Sequence, residues 1–155
     1  MDKNQKTALN GFFVRVFNQI LSWEEQSFKE MGISEISLRE LHVIEAVYSL
    51  KESGENRMSE IAKYLAITPG SLTTAVNCLV KKGYLTRENL PDDRRVIMIN
   101  PTDKAFEVNE IHTKFHEKMI DSIEKYIDGE SAEAVIKALS GLSEFFAEKD
   151  ELRRK

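Results

Sequence analysis

The sequence predicts a mainly α-helical fold carrying one small β-hairpin, and three observations predict it. Apolar residues recur at three- and four-residue spacing over most of the chain. Helix breakers are few, with 3 prolines and 7 glycines in 155 residues. Only between Tyr84 and Ile99 does the period shorten to two, with turn chemistry separating two β-type runs. A chain that is 41% hydrophobic and 31% charged has enough apolar surface for a core, which excludes wholesale disorder.

Thr7 to Glu30 reads as a long amphipathic helix. Phe13, Phe17, Ile20 and Leu21 form its stripe, which Phe12, Val16, Trp23 and Phe28 widen beyond what one small domain needs. Gly32 stops it. Ser37 and Glu40 have capping-box spacing, so a second helix starts there with Leu38, Leu41, Val43, Ile44 and Val47 inward, ending near Lys51. Met58 to Leu65 is a short third helix. Thr68-Pro69 then offers an N-cap and a first-turn proline for a fourth, which runs to about Lys82 and stops at Gly83. Its inward stripe is Leu72, Ala75, Val76 and Leu79. Its other face carries Gly70, Ser71, Thr73, Thr74, Asn77 and Lys81, small polar groups suited to close approach to a polyanion or to base edges. The runs 84–87 and 96–99 form the hairpin around Pro91-Asp92-Asp93. Thr102 caps a long helix to about Tyr126, and Ser131 to Ala147 is the last.

Charge follows the same division. Arg57 to Lys104 holds eight Lys or Arg against five Asp or Glu, a net of +3, and the rest holds fourteen against twenty-one, a net of −7, which sum to −4. Two short helices joined by a tight turn and followed by a hairpin with a basic tip make a winged helix-turn-helix, in which the second helix enters the major groove of DNA. The expected division is a winged DNA-binding unit at 35–101, flanked by dimerisation helices at 1–34 and 102–155. No apolar run is long enough to span a bilayer, no export signal opens the chain, and the single Cys78 permits no internal disulfide. A cytoplasmic protein without membrane contact is expected.

The run from Met58 to Ile99, MSEIAKYLAITPGSLTTAVNCLVKKGYLTRENLPDDRRVIMI, resembles the winged helix-turn-helix of the MarR transcriptional regulators. The resemblance lies in the Thr-Pro start of the fourth helix, its Lys-Lys-Gly-Tyr-Leu exit and the Asp-Arg-Arg tip. The segments ISLRELHVIEAV, TPGSLTTAVNCL and HTKFHEKM are most similar to the fatty-acid-synthesis repressors of that family. Two positions depart from the pattern: Pro101 to Ala105 replaces the usual Leu-Thr-x-x-Gly, and Thr74 stands where many relatives have Arg.

The resemblance implies a homodimeric repressor of a pseudo-palindromic operator in double-stranded DNA, with interlocked terminal helices and no enzymatic activity. It implies that Arg95 enters the minor groove, that Asp93 pairs with it and that Arg94 takes phosphate; an ordinary surface ion pair is the alternative for Asp93 and Arg95. Ser71, Thr73, Thr74 and Asn77 are base-edge candidates, and Asn77 could pair with adenine in bidentate fashion or serve as a structural amide. Arg57, Thr68, Lys81 and Lys82 are phosphate candidates. No cofactor is required. The implied effector is an acyl chain on acyl carrier protein, in a pocket lined by Phe13, Phe17, Met31 and Phe115 with His42 or His116 at the thioester; these apolar residues could equally be plain core.

His112 and His116 lie four apart on one helix and could share a metal. With Glu24 and His42 they resemble the zinc site of zinc-responsive members of the family, although hydrogen-bonded core histidines are the plainer alternative. A zinc-responsive regulator is therefore the second reading, and a protein-docking module that ignores DNA is the third. Cys78 lacks the setting of a redox sensor.

Overall fold

The computed structural model describes residues 1–30, 32–90, 93 and 95–153. Met31 and Arg94, candidates above for the pocket and for phosphate, lie outside the described residues. Six helices and one hairpin follow in the order α1 (Lys3–Glu30), α2 (Leu38–Lys51), α3 (Met58–Tyr64), α4 (Pro69–Lys81), β1 (Leu85–Asn89), β2 (Ile97–Pro101), α5 (Asp103–Glu124) and α6 (Gly129–Arg153).

Capping chemistry sets most boundaries. Ser37 Oγ accepts from the Glu40 backbone N–H while Glu40 accepts from the Ser37 N–H at 2.8 Å, the reciprocal box its spacing predicts. Thr68 accepts from Ser71 N–H at 3.2 Å, and Thr102 accepts from Ala105 N–H at 3.4 Å. Two ends differ from the sequence expectation. α1 begins at Lys3 because Asp2 and Gln5 cap each other's backbone, both at 2.8 Å. α6 begins at Gly129 because Asp128, not Ser131, is the capping residue, its Oδ1 accepting from Ser131 N–H at 2.8 Å.

α2 is the hub of the fold, packing against α3, α4, α5 and β2. Leu41, Ile44, Ile61, Leu72, Leu79, Leu85 and Ile99 are fully buried there, and Ala105 and Val108 bring the start of α5 into the same core. The antiparallel hairpin pairs Leu85 with Pro101 and Arg87 with Ile99. It sits about one residue later than the period-two runs suggest, because Asn56 and Arg57 also pair with its outer strand. Ile99 N–H donates to Asn56 O at 2.9 Å, and Asn56 Nδ2 donates to Ile99 O at 2.7 Å.

The terminal helices behave differently. α1 buries only Glu24 and Phe28, and α6 buries no described side chain. Phe12, Phe17, Trp23, Ile136, Phe145 and Phe146 are each more than 45% exposed. Among the described residues, no helix is long and apolar enough to cross a membrane.

Candidate nucleic-acid interface and a buried histidine cluster

α4 presents two chemically opposite faces. Leu72, Ala75, Val76 and Leu79 face the core, while Gly70, Thr73, Thr74, Asn77 and Lys81 are exposed and Ser71 is half-buried. Local bonds decide what that face offers a ligand. Thr73 Oγ1 donates to Pro69 O at 2.8 Å and Thr74 Oγ1 to Gly70 O at 3.1 Å, so both hydroxyl protons are spent on the helix. Asn77 Oδ1 accepts from Arg87 Nη2 on β1 at 2.6 Å.

The basic candidates separate into two groups. Lys82 Nζ lies 2.7 and 2.9 Å from the two Glu40 oxygens, so its ammonium braces α2 against the end of α4. Burial disfavours ionised Glu40, but the bonds from Lys82 and Ser37 outweigh it and hold the carboxyl below its usual range. Arg57 pairs with Glu55. Lys81 stays exposed on the α4 face. Arg95 shares a groove of about 290 Å³ with Arg57, Met58 and Ser59, which sets two guanidinium-bearing residues beside the turn into α3. Asp93 Oδ1 accepts from the Arg95 backbone N–H at 2.9 Å. The two side chains form no ion pair in this structure; the carboxylate shapes the tip through the main chain instead.

The four predicted ligand residues converge. Glu24 of α1 places Oε1 3.1 Å from His116 Nε2 and 3.3 Å from His112 Nε2, and its Oε2 lies 3.7 Å from His42 Nε2. The two α5 imidazoles approach to 2.9 Å between their Nε2 atoms, so only one of the two can carry the proton there. Burial pushes His112 below the usual imidazole range, against the pull of Glu45, whose carboxylate lies 3.7 Å from Nδ1. Glu24, His42 and His112 place one donor atom each within 4.8 Å of one another, as do Glu45, His112 and His116, and imidazole with carboxylate is a donor set that suits zinc. The apolar pocket residues do not gather in the same way. A cavity of about 440 Å³ beside the end of α1 is lined by Phe28, Ile33, Ile36 and Leu38, not by Phe13, Phe17 or Phe115. Phe17 is largely exposed, and Phe13 and Phe115 are half-buried.

Residues 36–97, the segment from α2 to the start of the second wing strand, match the MarR family. Over that segment the chain is similar to the MarR family. It is similar to the HTH-type transcriptional regulator YpoP of Bacillus subtilis, 29% identical over 97% of this chain and 94% of YpoP. YcgE of the same organism is 24% identical over 83% and 82% of the two chains. The crystal structure of Streptococcus pneumoniae FabT in complex with DNA superposes with a TM-score of 0.78 at 28% identity, covering 92% of this chain and 98% of FabT. An S. aureus MepR–DNA complex shares the fold, with a TM-score of 0.70 at 18% identity over 87% and 96% of the chains. MarR-type regulators are not enzymes.

Sequence reading missed Arg87, Asn56, Glu45 and the Glu40–Lys82 brace. Only the capping spacing of Glu40 was a usable signal, since the other contacts join elements whose packing no local pattern reveals.

Proposed function

We propose that the chain is a MarR-type DNA-binding transcriptional regulator that acts as a homodimeric repressor on a pseudo-palindromic site. One observation carries the reading. α4 exposes a face of small, uncharged polar side chains next to a wing whose Arg95 lies beside Arg57. Such a face solvates itself poorly but approaches base edges closely, while the flanking cations meet phosphate. The exposed Phe and Trp side chains of α1 and α6 support a second copy as their cover, with two-fold symmetry setting half-sites about one helical turn apart. Selection of fragments from a genomic library tests this. Enrichment of an inverted repeat is expected, and a pool with no common sequence overturns it.

The favoured effector is an acyl chain on acyl carrier protein, and the target genes are those of fatty-acid synthesis. The resemblance of ISLRELHVIEAV and HTKFHEKM to such repressors supports this, as does the FabT neighbour. One observation favours the zinc-responsive alternative, namely the convergence of His42, His112 and His116 on the Glu24 carboxylate. Those four would hold the ion, which would tie α1, α2 and α5 together and bias the spacing of the two winged domains. Native mass spectrometry of protein purified without chelator separates the two. Lipid-sized adducts support the acyl effector, and stoichiometric zinc lost in Glu24→Gln supports the metal.

A further inference from the structure

The Arg87–Asn77 bond determines which atoms the recognition face can offer. A guanidinium only donates, so the Asn77 atom 2.6 Å from Arg87 Nη2 is the carbonyl oxygen. The bond is charge-assisted and spans two elements, α4 and β1. Register explains how Arg87 reaches it. Arg87 pairs with the buried Ile99 and lies two residues from the buried Leu85, so it shares the hairpin face that packs towards α4.

A bidentate pair with adenine needs Asn Oδ1 to accept from N6 while Nδ2 donates to N7. Here Arg87 takes one lone pair of Oδ1, sets a cationic donor beside the other and fixes the plane of the amide, so adenine N6 would have to share that oxygen with a guanidinium while Nδ2 has no such competitor. An amino group on its own suits two adjacent acceptors, the N7 and O6 edge of guanine, and meets adenine N6 as donor against donor.

We propose that Arg87 is a positioning residue that sets the base preference of Asn77, turning an amide suited to adenine into a donor that selects guanine. The inference rests on the DNA-binding reading above. Selection from randomised duplexes tests it, with melting temperatures confirming that each variant folds. Wild-type protein should prefer guanine over adenine at one position of each half-site by at least about fivefold, the size expected of one discriminating base contact. Arg87→Ala should lose that preference or invert it towards adenine, Arg87→Lys should retain part of it, and Asn77→Ala should abolish selection at that same position. Uniformly weaker binding by Arg87→Ala with the guanine preference intact overturns the proposal while leaving the DNA-binding reading standing. An adenine preference in the wild type overturns it in the same way. A wild-type protein that selects no sequence overturns both.

Discussion

Glu24 Oε1 lies 3.1 Å from His116 Nε2 although 92 positions separate the two residues in the chain, and the carboxylate is only 3% exposed. The α1 helix is thus anchored to α2 and α5 by a polar cluster more than by apolar packing, since Phe28 is its one buried apolar side chain. Removing the carboxylate leaves His112 buried with one partner fewer. Glu24→Leu should therefore destabilise the protein by about 2–3 kcal/mol, the penalty for a buried polar group left unpaired. Urea denaturation checks this, and an unchanged midpoint would show that the cluster does not hold α1.

The Glu40–Lys82 brace predicts a pH dependence. The folded Glu40 carboxyl titrates below its ordinary value of 4.5, so the unfolded chain takes up the proton first as pH falls. Its contribution is therefore fully present above about pH 4.5 and is lost as pH drops through the folded value. Lys82→Met should lower stability at pH 7 by about 1 kcal/mol and flatten the acid limb of a Tm-against-pH curve. Parallel curves for the two proteins would rule out the brace as the source.

Ala66 is the one described non-glycine residue with positive φ, at 51°. It closes α3 through Ile67 N–H to Ala62 O at 3.0 Å, the same bond that closes α4 at Gly83, from Tyr84 N–H to Leu79 O at 2.9 Å. A Cβ at that position is strained, whereas Gly83 has none. Ala66→Gly should raise stability by about 0.5 kcal/mol, the relieved strain less the added entropy of the unfolded chain. A lower melting temperature would contradict this.

The apolar faces of the terminal helices predict a dimer. Phe145 and Phe146 are 50% and 55% exposed on α6 and should be covered by the partner. Replacing both with Asp should convert a wild-type dimer to monomer in sedimentation at micromolar concentration, with the winged helix-turn-helix still folded. Equal sedimentation of both proteins as monomers would remove the two-fold operator from the account.

Local chemistry made much of this fold legible. Ser37-x-x-Glu40, Thr68-Pro69 and Thr102 each cap the helix their spacing predicts, and the change of period located the hairpin. The histidine pair on α5 was visible because four-residue spacing is a helical relationship, and the structure brings Glu24 and His42 to it from two other helices. What stayed hidden depends on register between elements. Arg87 looks like an ordinary strand cation until pairing with Ile99 turns it towards Asn77. Lys82 reads as a phosphate ligand until packing of α2 on α4 delivers Glu40 to it. The effector pocket fared least well, because stripes of Phe on α1 and α5 are the same in sequence whether they line a cavity or meet a partner.

If α4 and the wing bind duplex DNA, affinity for the selected operator falls steeply as salt is added. Fluorescence anisotropy between 50 and 200 mM salt should give a log–log slope of about −3 or steeper, from the phosphates neutralised by the basic residues of two protomers. Arg95→Ala should bind more than tenfold more weakly at moderate salt without any fall in melting temperature. Affinity that is indifferent to salt, or an Arg95→Ala protein that binds as tightly as the wild type, would contradict the assignment of this surface.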